Sequence, residues 1–226
     1  MSDTTVTQLD DLPTDPPLGA LVTANPGVAR VLEQFGLDYC CGGQTRLTIA
    51  CMEAGLDPDE VRNALANVAI DDEVAWADLE PVELIDHVLA VHHAYLRDEL
   101  PALDQLANKV ASVHGERHPE LIDLAATVAE LRADLLPHMA REELALFPMI
   151  RQLVAADGET SQGPTAADLD RGPIASMRIE HDQTGRLLER LRSLSSDFDV
   201  PADGCASYTS LYQRLAALEA DTHLHV

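Results

Sequence analysis

Histidine residues recur at comparable positions of successive segments in the last two thirds of the sequence. His87, His138, His181 and His225 fall on four separate segments whose composition favours helices. Glu142 follows His138 by four residues, so the two side chains share one helical face about 6 Å apart along the axis. Imidazole combined with carboxylate suits iron, manganese or zinc rather than a thiolate-seeking metal. The pattern therefore indicates a metal site, in which one carboxylate could bridge two metals.

The segments that carry these residues read as four long helices. They extend from Pro81 to about Val113, from His118 to about Val154, from Pro173 to about Leu194, and from about Cys205 to the end of the chain. Modest connections between them, including a loop expected over 156–172, predict an antiparallel bundle, in which the start of one helix lies beside the end of the next. The five metal-binding candidates then meet at one end of the bundle. We expect Pro101 to kink or interrupt the first helix, and Pro137 or Pro148 to kink the second.

The other histidines are expected to lie outside the ligand set. His114 is 27 residues beyond His87, about 40 Å along a continuous helix. On a regular α-helix His92 and His93 point roughly 140° and 120° away from His87, so we predict that they lie behind the ligands or at the surface. His118 is expected in a loop.

Two acidic residues stand next to the candidate ligands. Asp134 lies one turn before His138, and Glu180 directly precedes His181. Such carboxylates can orient the imidazoles of metal ligands or line a path for protons or iron. Solvation at the surface is the ordinary alternative for both.

The composition limits the class of protein. The formal net charge of −24 disfavours nucleic acid and anionic membranes as partners. Hydrophobic residues make up 46% of the chain, enough for a real core, yet no apolar run approaches the ~20 residues of a membrane span. The four cysteines fit no disulfide ladder or zinc pair, and no secretory signal follows Met1, so a cytoplasmic location is expected.

The first third of the chain has a different organisation. We predict a polar leader over residues 1–16, a small helical domain over 17–70, an acidic linker over 71–80 and the bundle over 81–226. The small domain contains DYCCGGQ, which reads as a turn that presents Cys40 and Cys41. The whole chain is thus expected to be all-α.

Several stretches resemble one known family. FGLDYCCGGQTRLTIAC is similar to the N-terminal signature of the iron–sulfur cluster repair di-iron proteins, the repair-of-iron-centres family. ELIDHVLAVHH, HMAREELALFPMI and GPIASMRIEHDQTG resemble that family's haemerythrin-like domain. The resemblance covers nearly the whole chain after the leader.

The resemblance implies two iron ions in an oxo-bridged centre, with damaged iron–sulfur proteins as partners. Its implied ligands are His87, His138, Glu142, His181 and His225, with Glu142 bridging. It implies restoration of clusters damaged by oxidative or nitrosative stress, with iron donation as the expected route. Cys40 and Cys41 match the family's paired cysteines, which could pass iron or carry nitrosyl groups. A haemerythrin-like sensor or carrier of O₂ or nitric oxide, and a nitric oxide reductase, remain alternative functions, and a homodimer is compatible with the small domain.

The end of the sequence departs from this family. The family closes its last helix with a second His-x-x-x-Glu, whose Glu would be residue 229, whereas the sequence ends at Val226. We expect a truncated form of a longer protein. The other hypotheses are an open, incompletely loaded site, or a terminal carboxylate of Val226 that replaces the missing ligand.

Overall fold

The computed structural model describes residues 15–39, 42–68, 79–156 and 165–225. Their regular structure is helical, apart from an isolated bridge between Pro17 and Arg46, so the all-α expectation is confirmed. The chain divides into two compact units, one that reaches Glu80 and one that comprises Pro81–His225. Within the described ranges, no helix is long and apolar enough to cross a membrane.

The first unit contains short helices that its sequence delimits clearly. Asp57 caps the last of them by accepting a hydrogen bond from the Asp59 amide at 3.0 Å, and Pro58 takes the first helical position. Gly55 ends the preceding helix in the left-handed conformation, with φ 71°, which a side chain would strain. The helices are α1 Leu18–Ala24, a 3-10 turn Pro26–Val28, α2 Ala29–Gln34, α3 Leu47–Ala54 and α4 Pro58–Ala66.

A small apolar core holds the first unit together. Its fully buried members include Val28, Leu32, Cys51 and Val61. The Cys51 thiol lies inside this core, where burial raises its pKa, so it packs as a small apolar group.

The second unit consists of four long helical segments. The first segment comprises α5 Pro81–Val88, a π-helical turn Leu89–His93 and α6 Ala94–His114, and the second comprises α7 Glu120–Arg141, a π-helical turn Glu142–Leu146 and α8 Phe147–Ala155. The third comprises α9 Ala166–Leu169, a π-helical turn Asp170–Ile174 and α10 Ala175–Leu194. The fourth is the single helix α11 Ala206–His225. Helix α6 packs against α7 and α11, and α7 packs against α10. These pairings make the helical bundle that the patterning predicts.

At two places a proline lies inside a helical segment rather than at an interruption or at a start. Helix α6 continues through Pro101 without a break, because the carbonyl freed by the missing N–H belongs to Arg97, whose exposed position lets water satisfy it. Pro173 does not open the third segment but lies inside its π-helical turn. A proline ring clashes with the carbonyl four residues earlier, and a wider turn relieves that clash. Residues 165–172, expected as loop, are therefore largely helical.

The bundle core is rich in leucine. Each buried leucine contributes about 1.5–3 kcal/mol through the apolar surface it removes from water. Those with essentially no exposure include Leu96, Leu100, Leu103, Leu121, Leu124, Leu131, Leu135, Leu211 and Leu218. This packing fixes the helices whose ends carry the polar cluster described next.

Candidate metal centre

The carboxylate of Glu142 lies at the middle of a buried group of imidazoles. Its Oε2 is 3.0 Å from Nε2 of His93 and 3.4 Å from Nε2 of His225. Its other oxygen, Oε1, is 3.5 Å from Nε2 of His138. Each oxygen of one carboxylate therefore faces a different set of imidazoles, which is the arrangement of a bridging ligand.

Two sets of donor atoms share this carboxylate. His93, Glu142 and His225 form one, and His138, Glu142 and His181 form the other, with each set's donor atoms within 4.8 Å of one another. The two Nε2 atoms of the first set are 3.1 Å apart, and those of the second are 3.3 Å apart. These separations are those of two imidazole nitrogens that bind one cation, and they also allow a hydrogen bond between the two rings. The donors thus form two adjacent candidate metal positions.

Two of the donors stand at π-helical turns. His93 is the last residue of the turn Leu89–His93, and Glu142 is the first residue of the turn Glu142–Leu146. A π-helical turn holds an extra residue, so it shifts the face on which the following side chains emerge. The widened turns therefore help to aim these two side chains at a common centre.

Two further carboxylates contact the Nδ1 atoms of two imidazoles, on the side of each ring that faces away from Glu142. Nδ1 of His93 is 2.6 Å from Oε1 of Glu143, and Nδ1 of His138 is 2.8 Å from Oε2 of Glu180. When Nδ1–H donates to a carboxylate, the tautomer is fixed and Nε2 keeps its lone pair for a metal. The sequence predicts such a role for Glu180, whereas the role of Glu143, the residue next to Glu142, becomes visible only in the structure.

Arginine residues complete this outer layer. Arg97 forms an ion pair with Glu143, and Arg141 lies 2.8 Å from Oε2 of Glu180. Asp134, the other predicted acid, accepts a hydrogen bond from the hydroxyl of Thr184 at 2.8 Å and so joins α7 to α10.

The protonation states of Glu142, His181 and His225 favour ligation, whereas His138 differs: burial alone would lower its pKa, but its hydrogen bonds with Glu142 and Glu180 outweigh burial and raise it, so His138 would lose its proton when metal binds. Burial by itself raises the pKa of the Glu142 carboxyl, but hydrogen bonds from His138, His225 and His93 outweigh it and hold the pKa well below its usual range. Burial, with the nearby His138, lowers the pKa of His181 to about 4. Burial also lowers the pKa of His225. At neutral pH, Glu142 is thus anionic and these two imidazoles are neutral, the forms that bind metal.

Four of the five ligands expected from the sequence come together here, namely His138, Glu142, His181 and His225. The fifth, His87, belongs to neither set, and its ring lies instead against the ring of His92. His93 occupies the position expected for His87, and its side chain is fully buried rather than at the surface. The angles of a regular α-helix do not apply to His93, because residues 89–93 form a π-helical turn.

One signal in the sequence could have identified His93. It precedes His138 by 45 residues, and His181 precedes His225 by 44, whereas His87 precedes His138 by 51. The near-equal spacing matches the repeat relationship between the two halves of the bundle better than the spacing of His87 does.

Two further histidines, His114 and His118, lie away from the candidate metal centre. His114 is buried with its Nε2 3.1 Å from Sγ of Cys205, an exposed thiol beside the start of α11. His118 contacts Asp203 at 3.0 Å and Glu120 at 3.2 Å. About 30 Å of helix separates His114 from His93, so the exclusion of His114 agrees with its position in the fold.

Some expectations concern residues outside the described ranges. Cys40 and Cys41 lie there, as do most of the leader and of the linker. Val226 also lies there, so the hypothesis about its carboxylate is not addressed by the structure.

Two family profiles match the sequence. Residues 84–226 match the hemerythrin HHE cation binding domain, and residues 14–69 match a domain of unknown function, DUF542. The first match includes all the residues of the two donor sets. The name of this family, a cation binding domain, agrees with the two converging donor sets described above.

Proteins named for iron–sulfur cluster repair are similar to this chain over most of their length. An iron–sulfur cluster repair protein YtfE of Enterobacter sp. (strain 638) is 34% identical over 215 residues, which covers 94% of this chain and 91% of the relative. A protein of the same name from Escherichia coli O1:K1 is 32% identical, with 94% and 91% covered. A probable iron–sulfur cluster repair protein of Haemophilus influenzae is 30% identical, with 92% and 90% covered.

Proposed function

This chain belongs to the hemerythrin HHE family and, within it, to the iron–sulfur cluster repair proteins, and we propose that it binds two iron ions and supplies iron to damaged iron–sulfur clusters. The observation that supports the proposal most strongly is the Glu142 carboxylate, which offers one oxygen to each of two donor sets. Iron–sulfur proteins with damaged clusters are the proposed partners, and the cytoplasm, where thiols such as Cys51 and Cys205 stay reduced, is the proposed location.

The donor set fits iron. Neutral imidazole and carboxylate are the ligands of iron centres in helical bundles, whereas no thiolate takes part in either of the two sets described above. His93 and His225 would hold one ion, His138 and His181 the other, and Glu142 would bridge them. When bound, iron supplies the exchangeable metal and the redox chemistry.

The charge of this donor set supports release of iron. Among the described residues, the two donor sets comprise four imidazoles and one carboxylate, which carry a single formal negative charge, and Glu143 and Glu180 contact the imidazoles from behind. The positive charge of two iron ions is therefore only partly offset by the direct ligands. Ferrous ions, with the smaller charge, suit this set better than ferric ions, and a metal held mainly by neutral ligands dissociates more readily.

Proton control falls to the orienting carboxylates. Glu143 and Glu180 accept from Nδ1 of His93 and His138, so the proton that leaves when iron binds is the one on Nε2, which otherwise faces Glu142. Burial excludes bulk water from His138 and His93. In the small domain, Cys40 and Cys41 are proposed as thiolates that accept or pass iron.

Transfer of labelled iron tests this function. The protein is loaded anaerobically with ⁵⁷Fe and mixed with a [4Fe–4S] enzyme inactivated by nitric oxide. We expect ⁵⁷Fe to appear in the cluster by Mössbauer spectroscopy while enzyme activity returns. A Glu142→Gln variant, loaded under the same conditions, serves as the control and should transfer little iron.

The alternative functions predict different results in the same experiment. A carrier or sensor of O₂ or nitric oxide would keep its ⁵⁷Fe through repeated exposure to the gas. A nitric oxide reductase would release nitrous oxide. Either result without ⁵⁷Fe in the acceptor would contradict iron donation.

A further inference from the structure

A second pair of histidines lies next to the candidate metal centre. The rings of His87 and His92 are 5.7 Å apart between centroids and meet edge to face at 74°. Five residues separate them, which would place them about 140° apart around a regular α-helix. Because the π-helical turn begins between them, at Leu89, the two rings instead lie on one face.

This pair resembles the two imidazole pairs of the candidate centre. The rings of His93 and His225 are 5.0 Å apart at 88°, and those of His138 and His181 are 4.9 Å apart at 64°. All these pairs are edge to face, and the His87–His92 pair is wider by less than 1 Å. The ring separation of His87 and His92 is thus close to that of the imidazoles that share a candidate metal position.

A partly buried carboxylate orients one of these rings. Nδ1 of His92 is 3.0 Å from Oδ1 of Asp221, in the same relationship that joins Glu143 to His93 and Glu180 to His138. The buried Oδ2 of Asp221 has no hydrogen-bond partner among the described residues. When Nδ1–H of His92 donates to Oδ1 of Asp221, the Nε2 lone pair of His92 is left for a cation, and the negative charge of Asp221 favours a cation nearby.

The pair also leads from the candidate centre toward solvent. The ring of His92 stacks on that of His225 at 5.8 Å with an angle of 25°. His92 is buried, whereas His87 is partly exposed. The three rings therefore form a continuous series from a ligand of the centre to the surface of the bundle.

We propose that His87 and His92, with Asp221 as the positioning residue, form a transfer site for a divalent cation beside the two-metal centre. The site rests on the proposed function in that it would pass Fe²⁺ into and out of the centre. Two imidazoles bind more weakly than the shared set of five donors, so a cation stays there only briefly. Water molecules would complete its coordination.

Titration of the metal-free full-length protein with cobalt(II) chloride tests whether the site binds a cation. Calorimetry and the visible cobalt bands at pH 7.5 should show two tighter equivalents and a third, weaker one. His87→Ala and His87→Gln should each remove the third equivalent and keep the first two. Asp221→Asn should weaken the third about 10-fold or more, as loss of an orienting carboxylate does.

His118→Ala is the matched control, because His118 is also partly buried and contacts carboxylates, but at Glu120 and Asp203. It should leave all three equivalents unchanged. A third equivalent that survives both substitutions of His87, or a wild-type protein that binds only two cobalt ions, would overturn the proposal.

The rate of iron release provides a second readout. With excess ferrozine, wild-type protein should lose iron at least about 5-fold faster than His87→Gln, at equal initial iron content. Equal rates would overturn the transfer role. If the third cobalt equivalent and the rate effect are found but no iron reaches a damaged cluster, the transfer site stands and the proposed function fails.

Discussion

Nε2 of His93 and Oε2 of Glu142 are 3.0 Å apart, although 49 residues separate them in the sequence. Each residue stands at a π-helical turn, on neighbouring segments of the bundle. The contact therefore depends on local helix geometry as well as on the packing of α6 against α7. It defines the half of the candidate centre to which His225 also contributes.

Substitution of His93 should damage the centre more than substitution of His87. His93→Ala removes a donor from the set that includes His225 and Glu142, so we expect iron to fall from two per chain to about one or less. His87→Ala should retain two. Iron per chain, measured by a colorimetric assay on protein with an unchanged circular dichroism spectrum, checks this. The reverse order would show that His87 is the ligand, as the regular-helix argument expected.

The two orienting carboxylates should act on different halves of the centre. Glu143→Gln frees the tautomer of His93, and Glu180→Gln frees that of His138. Loss of such a partner typically costs about 10- to 100-fold in metal affinity. Competition with a chelator of known affinity measures the effect. Glu130→Gln, which alters an exposed ion pair with Arg190, is the control and should change nothing.

Metal binding should stabilise the bundle. The histidines and Glu142 come from four segments, so they converge only in the folded chain, and binding then adds about 2.7 kcal/mol when the free metal is 100 times its dissociation constant. Anaerobic addition of Fe²⁺ should raise the unfolding temperature of the wild type. Glu142→Gln should show little rise. An equal rise in both would mean that iron binds elsewhere.

An ion pair in the bundle offers a test of the fold that is independent of metal. Glu219 is 4% exposed, and its two oxygens accept from the Arg192 guanidinium, one of them at 3.1 Å from Nε. Arg192→Met leaves a buried carboxylate without its partner. Because Arg192 itself is partly exposed, we expect a loss of about 2 kcal/mol, at the lower end of the cost of breaking buried pairs.

The double variant Arg192→Met, Glu219→Met completes this test. Removing both charges should recover much of the lost stability, since no unpaired carboxylate remains. Urea denaturation of the metal-free protein measures both changes. A double variant less stable than Arg192→Met alone would contradict the explanation.

The helical bundle could be predicted from the sequence, because long amphipathic patterns determine this architecture. Leu124, Leu131 and Leu135 recur at helical spacing and are all fully buried on α7. The same periodicity placed His138 and Glu142 on one face. Antiparallel packing then brought His181 and His225 to the same end, without any need to know side-chain detail.

The errors arose where the helices are not regular. Around His93 and Pro173 the chain forms π-helical turns, and a 3.6-residue period misplaces every side chain that follows such a turn. Hydrophobic patterning does not report these turns, since the core residues before and after them still fit helical spacing. The role of Glu143 was missed for a related reason, because adjacent residues on a regular helix point in different directions.

The central claim is that two iron ions lie on either side of the Glu142 carboxylate. Anomalous diffraction at the iron edge, from crystals of the iron-loaded full-length protein, tests it most directly. We predict two iron peaks, one bound by His93 and His225 and the other by His138 and His181, with one oxygen of Glu142 on each. A single peak, or two peaks that Glu142 does not join, would contradict the account.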